Sequence, residues 1–180
     1  MATTEPLVAL ETRARRAYEL GRLRRALRLV PLVLAGAAAA LACGRSLSLT
    51  CALCAVLLAL AVGLSHAGGS PGRAVIPGLL AGALALAFPV LLHVFGDACV
   101  GPACRLLGVP SCIVGGASGG VFIASRLARD QEGASFAVAA LTIAFLMGAF
   151  GCSIAGVGGV LGMIAGILAA GAPALLAFRR

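Results

Sequence analysis

The sequence predicts an all-α integral membrane protein, a polytopic bundle of six transmembrane helices preceded by an amphipathic cytosolic helix. Of its 180 residues, 61% are hydrophobic and only 11% are charged, and the mean hydropathy is +1.09. A soluble domain is about a quarter charged, and one with so few polar residues could not cover its own surface. In addition, apolar stretches near the length needed to cross a bilayer, about 20 residues, recur along the chain.

The first element is a basic arm, residues 1–28, which is predicted to form one amphipathic helix. Thr4 and Pro6 suit a helix start, and apolar residues then recur at steps of three and four. The candidate partner-binding side chains are Leu7, Leu10, Tyr18, Leu20, Leu23 and Leu27. The arginines of the arm are Arg13, Arg15, Arg16, Arg22, Arg24, Arg25 and Arg28. Such a helix either lies on the anionic inner leaflet or offers its leucines to a groove in a cytosolic partner.

The membrane domain, residues 29–180, follows the arm. Its predicted spans are residues 29–43, 47–65, 74–95, 110–128, 134–151 and 153–178. The segment between the third and fourth spans is predicted to be a compact loop, because Pro102, Pro110 and several glycines interrupt it. A tight turn at residues 151–153 separates the last two spans, which together are too long for one crossing.

The arginines predict the orientation of these spans. All 14 basic residues are arginines. With six spans, the seven arginines of the arm lie on the same side as five others, which are Arg73, Arg126, Arg129, Arg179 and Arg180. Only Arg45 and Arg105 fall on the opposite side. The positive-inside rule then places both termini in the cytoplasm. The net charge of +8 therefore indicates topology, and no nucleic-acid partner is expected.

This orientation puts every cysteine at the extracytoplasmic end. The seven are Cys43, Cys51, Cys54, Cys99, Cys104, Cys112 and Cys152. Outside the cytoplasm, thiols form disulfides, and such disulfides could simply staple the outer loops. Alternatively, thiols with His93 form a soft metal site of the zinc or copper type. The residues of that candidate metal or redox site are His93, Cys99, Cys104, Cys112 and Cys152. Buried, inert thiols are the third possibility.

Cys51 and Cys54 form a CxxC motif at the start of the second span. A helix N-terminus favours the thiolate, so this secondary thiol pair is a candidate for redox chemistry. In a span rich in alanine, however, cysteine also serves as a small apolar packing residue. Both interpretations remain open.

Small residues repeat along several spans. Gly158, Gly162 and Gly166 form a stripe in the sixth span, and overlapping GxxxG pairs occur in the fourth. Such stripes let helices approach closely, either within the bundle or in a homodimer through the sixth span. The spans contain no Asp or Glu, which argues against ion-coupled transport.

Several local features carry a family resemblance. Gly44-Arg45 follows the first span, Pro71-Gly72-Arg73 follows the second, Cys112 opens the fourth, and Cys152 follows the fifth. With six spans, cytosolic termini and a short arm, the chain resembles bacterial integral-membrane anti-sigma factors of the NrsF type. The resemblance implies an arm that sequesters an extracytoplasmic-function sigma factor. It also implies that Cys112 and Cys152 are needed for the response to metal or other stress.

A second resemblance points to another class of protein. Bacterial membrane proteins that form disulfides with quinone also begin their second span with a CxxC and carry a second cysteine pair in the next outer loop. Cys51, Cys54, Cys99 and Cys104 imitate that layout. A non-catalytic packing subunit of a membrane complex is a third alternative. We expect a sensor or regulatory protein rather than an enzyme.

Overall fold

The structure is a computed structural model that describes residues 27–95, 102–130, 132–153 and 156–178, together with Arg13, Leu20, Gly21 and Arg24. Side chains are described within 27–92, 108–130, 132–153 and 156–173. The helices are α1 (Val30–Ala42), α2 (Leu47–Ala67), α3 (Gly69–Arg73), α4 (Val75–Phe95), α5 (Pro102–Arg129), α6 (Ala134–Cys152) and α7 (Val157–Phe178). The described residues contain no strand, so the predicted all-α class is confirmed.

Four of these helices are long and apolar enough to cross a membrane. The segments are Leu47–Ala67, Val75–Leu92, Gly108–Arg129 and Ala134–Cys152, which belong to α2, α4, α5 and α6. α1 and the segment Val157–Pro173 of α7 are apolar but shorter. The chain is therefore a multi-helical protein built for a lipid bilayer, as its composition predicts.

The connection between α4 and α5 differs from the prediction. The expected compact loop extended to residue 110, but α5 already begins at Pro102 and contains Pro110 in its interior. The prediction failed because proline breaks a helix only where its missing N–H is needed. In the first turn that N–H has no helical partner, and Pro110 removes a single hydrogen bond from a long helix. Cys104 thus lies on α5 rather than in a loop.

The glycines of α5 divide between two neighbouring helices. A Cβ at Gly115 would meet the backbone of Ala85 in α4, whereas a Cβ at Gly116 would overlap the backbone of Met163 in α7. The two overlapping stripes of the fourth predicted span therefore hold two different helices at backbone contact. In lipid, such close van der Waals packing is a main source of helix association.

The glycine stripe of α7 faces α5. A Cβ at Gly166 would fall on the carbonyl oxygen of Ile113, and one at Gly162 would meet Ile113 and Val109. This face of α7 is therefore covered by α5 of the same chain. Such packing corresponds to the first of the two predicted roles of the stripe, contact within the bundle.

α1 and α2 lie at the edge of the bundle. Only 17% of the spanning window of α2 is buried inside the protein, compared with 61% for α6. The buried face of the pair, which includes Val33, Leu57 and Ala61, packs against Met147 and Phe150 of α6. Helices α4 to α7 thus form a tight centre, and α1 and α2 form a hairpin docked on its side.

Candidate functional site

Two of the predicted site residues meet in the tight centre of the molecule. Cys112 lies on α5 just after Pro110, and Cys152 is the last residue of α6. Both side chains are fully buried, with 0% exposure, and their thiols are neighbours in one buried cluster. Both thiols are free, and we call them the central thiol pair.

Local structure around the central thiol pair holds both cysteines in place. Ser153 follows Cys152 at the end of α6, and Gly156, whose φ of 77° suits glycine, stands just before α7. On α5, the Ser111 hydroxyl donates a hydrogen bond of 2.8 Å to the carbonyl oxygen of Gly108. One turn before the end of α6, a Cβ at Gly148 would collide with the Met163 side chain of α7. The end of α6 that carries Cys152 therefore packs closely against α7.

The surroundings of the pair are apolar and involve three helices. Cys112 and Cys152 share a buried cluster with Ala85 of α4 and with Met163 and Ile167 of α7. A covalent bond between the two thiols would join α5 to α6 inside this cluster. Since close-packed interiors transmit small displacements, any change in the thiol–thiol distance would also displace the side chains of α7 in this cluster.

Of the residues predicted to form a metal site, the structure describes the side chains of Cys112 and Cys152. Among the described residues, no three His, Cys, Asp or Glu side chains lie close enough to hold one metal ion. A zinc site takes four ligands, or three with an open position, so the central thiol pair does not by itself form one. The side chains of His93 and Cys104, and the whole of Cys99, lie outside the described residues.

The secondary thiol pair is placed differently. Cys51 is exposed in the first turns of α2, and Cys54 is half-buried beside it. Cys54 packs at the margin of the cluster that joins α1 and α2 to α6, whereas the central thiol pair belongs to the cluster around α7. Cys43, half-buried and free, follows the end of α1.

Most of the arm lies outside the described residues, including the predicted partner-binding residues Leu7, Leu10, Tyr18 and Leu23. Leu20 and Leu27 are described, and they are 60% and 56% exposed. Arg13 and Arg24 are also exposed.

A polar cluster at the start of α4 and α6 was missed by the sequence reasoning. The Glu132 carboxylate is only 6% exposed, and its Oε1 lies 3.0 Å from Nη2 of Arg73. The Ser70 hydroxyl donates a hydrogen bond to Oε2 of Glu132. The signal available in the sequence was the presence of Asp130 and Glu132, two of only six acidic residues, in one short connection.

The same cluster borders a cavity of about 430 Å³. Arg73, Arg126, Asp130 and Glu132 supply its polar wall, and the remaining wall is apolar. The Arg126 guanidinium carbon lies 5.4 Å from the centre of the Phe122 ring, a cation–π geometry. The cavity lies at the C-terminal end of α5, and Cys112 lies ten residues before Phe122 in the same helix.

The sequence matches no protein-family model and no curated protein, and the fold matches no solved structure.

Proposed function

We propose that the protein is a thiol-based sensor in the bacterial inner membrane that controls a cytosolic partner, an extracytoplasmic-function sigma factor. The observation that supports this proposal is the central thiol pair. Two free cysteines, distant in sequence, meet in a buried contact between α5 and α6. In a chain with so few polar side chains, this contact is the junction between helices at which we propose that thiol chemistry acts.

The proposed topology has six spans, with α1 and α7 crossing the bilayer in addition to the four longer helices. Both termini are then cytoplasmic, because twelve of the fourteen arginines share one side. The central thiol pair lies at the extracytoplasmic end, and the arm and the cavity lie at the cytoplasmic end. Signal and output are therefore on opposite faces of the membrane, as a transmembrane sensor requires.

The proposed chemistry is oxidation of the pair by a peroxide. One thiolate attacks the peroxide oxygen, giving a sulfenic acid and releasing water from hydrogen peroxide. The second thiol then displaces water from the sulfenic acid, and the disulfide forms. In total, two thiols lose two electrons and two protons, and one peroxide is reduced to two waters. Hydrogen peroxide is small enough to reach a buried pair through local opening of the helix end.

The consequence of disulfide formation follows from the packing. The thiol sulfurs move to about 2.05 Å in a disulfide, which draws α5 and α6 together at this end. Because Gly116 keeps α5 at backbone contact with Met163 of α7, α7 must shift as well. We propose that this rearrangement changes the release or capture of the sigma factor by the arm, where Leu20 and Leu27 are exposed.

A soft metal ion is the second proposed stimulus. Thiolates prefer soft ions such as copper(I) or zinc. The described pair offers two such ligands, and further donors would have to come from His93, Cys99 or Cys104.

The test is a transcriptional reporter in cells that carry single cysteine variants. We expect Cys112→Ser and Cys152→Ser to abolish the response to peroxide or to copper and zinc salts. Cys51→Ser, a cysteine at the same end of the bundle but outside the pair, should leave the response intact. Immunoblotting of the membrane fraction checks that each variant accumulates.

An unchanged response in both pair variants contradicts the sensor proposal. Loss of response in Cys51→Ser, with quinone reduction by purified protein and a dithiol, would instead favour the oxidoreductase.

A further inference from the structure

The cavity at the cytoplasmic end is not used by the thiol chemistry. It lies where α4 begins, α5 ends and α6 begins, with Ile76, Phe122 and Phe136 among its lining residues. Its volume of about 430 Å³ falls within the range of ligand pockets, about 300–1,000 Å³. The cavity therefore has the size and mixed lining of a binding site.

The level of the cavity in the membrane follows from the helices around it. The candidate spans Val75–Leu92, Gly108–Arg129 and Ala134–Cys152 each have one end here, so the cavity lies at the boundary between hydrocarbon and water. Two of its apolar lining residues, Ile76 and Leu80, are 48% and 42% exposed on the outer surface of α4. This wall is therefore open to lipid, and a molecule can enter from the side of the bilayer.

The cavity is lined by two arginines and two carboxylates, and only one arginine and one carboxylate form an ion pair with each other. Glu132 is already bound by Arg73 and Ser70. Arg126 packs on Phe122, and within the described part of the chain no carboxylate lies within ion-pair distance of it. Asp130, one turn further along, also lacks an ion pair among the described residues. Arg126 and Asp130, both exposed, therefore border the same cavity without an ion pair to any described residue.

We propose that this cavity binds a phospholipid whose headgroup joins a phosphate to a primary ammonium, as in phosphatidylethanolamine. The phosphate accepts hydrogen bonds from the Arg126 guanidinium, and the ammonium donates to the Asp130 carboxylate. One acyl chain lies along Ile76 and Leu80. The position of the cavity at the membrane boundary and its open apolar wall favour a lipid over a free headgroup.

The charge pattern distinguishes this lipid from its neighbours in the membrane. An anionic lipid such as phosphatidylglycerol has no cationic group for Asp130, and the two carboxylates would repel it. A choline headgroup carries a positive charge but no N–H to donate. The face of the Phe122 ring, where a quaternary ammonium would bind, is covered by Arg126.

The test uses the delipidated full-length protein with single lipids added back, followed by native mass spectrometry and thermal melting. We expect phosphatidylethanolamine to bind about tenfold more tightly than phosphatidylcholine or phosphatidylglycerol and to raise the Tm more. Arg126→Gln and Asp130→Asn should each remove this preference. Arg129→Gln, a matched exposed arginine at the same helix end that does not line the cavity, should retain it.

Other outcomes decide against the proposal. Equal binding of all three lipids, or tighter binding of phosphatidylglycerol, overturns it. Retention of the preference in both Arg126→Gln and Asp130→Asn places the lipid elsewhere and also overturns it. Glycerophosphoethanolamine, the free headgroup, should not compete at equal concentration, and competition would show a soluble ligand instead. The lipid selectivity of the unmodified chain is measured without any variant, and it is independent of Cys112 and Cys152.

Discussion

The two thiol pairs show how the same side chain acquires different chemistry in different packing. Cys51 and Cys54 lie on α2, where only 17% of the spanning window is buried. Cys112 and Cys152 lie where α5, α6 and α7 converge, and both are fully buried. In the α1–α2 hairpin, Cys51 is exposed and Cys54 lies at the margin of a cluster, whereas Cys112 and Cys152 are a contact between two central helices. A displacement at the central thiol pair would therefore move side chains of three helices, whereas Cys51 is exposed on a single helix.

The largest expected effect is a loss of stability from a substitution in the tight centre. Gly116→Ala places a Cβ 3.0 Å from the Cα of Met163 and closer still to its carbonyl oxygen, so the α5 and α7 backbones must separate. Overpacking of this kind costs about 1–3 kcal/mol. The free energy of unfolding, measured by titration with SDS in mixed micelles, should fall by that amount.

Gly63→Ala is the matched control for this change in the α1–α2 hairpin. A Cβ at Gly63 of α2 meets no heavy atom within 4 Å. Since glycine weakens a helix interior by about 0.5–1 kcal/mol relative to alanine, this variant should be as stable as the parent chain or slightly more stable. Equal destabilisation by both variants would show that α2 packs as tightly as α5.

Thiol reactivity gives the next largest difference. In detergent, exposed Cys51 should react with N-ethylmaleimide much faster than Cys112 or Cys152. Reagent reaches the central pair only after local opening, and an opening that costs about 1.4 kcal/mol already slows the reaction tenfold. Peptide mass spectrometry over a time course gives each rate. Comparable rates at Cys51 and Cys112 would mean that the centre opens freely.

The smallest expected effect is the loss of one side-chain hydrogen bond in each region. Buried Thr50 on α2 donates its hydroxyl to the carbonyl oxygen of Ser46 at 3.1 Å, and buried Ser111 on α5 makes the same kind of bond to Gly108. Thr50→Val and Ser111→Ala should each lower the free energy of unfolding by about 0.5–1.5 kcal/mol. A much larger loss at Ser111 would assign part of the stability of the centre to this bond.

The helices were largely predictable from apolar runs, and the connections were not. The predicted spans 47–65 and 134–151 nearly coincide with α2 and α6, because uninterrupted apolar length is itself the physical requirement for crossing lipid. The start of α5 was missed because proline and glycine were treated as helix breakers in the segment before residue 110. The short helix α3 was missed for the same reason, since Gly69, Pro71 and Gly72 resemble a turn.

The candidate site shows a different limit. Nothing in the spacing of seven cysteines says which two face each other, and Cys112 and Cys152 were singled out together only because a family resemblance implied that both are needed for a stress response. The close approach of the helices at their glycines decides which residues of α5 and α6 meet. This approach is a feature of the three-dimensional packing, and residue spacing alone does not give it. The Arg73–Glu132 contact was missed because both residues lie in short connections, which the sequence reasoning used only for topology.

The unbroken length of α5 has a mechanical consequence. Its 28 residues form a rod of about 42 Å at 1.5 Å per residue, while the hydrocarbon core of a bilayer is only about 30 Å thick. The rod must tilt or stand out of the membrane, and Cys112 and Arg126 lie 14 residues apart along it, about 21 Å. A rod of this length converts a small sideways displacement at one end into a larger displacement at the other, and bilayer thickness sets its resting angle.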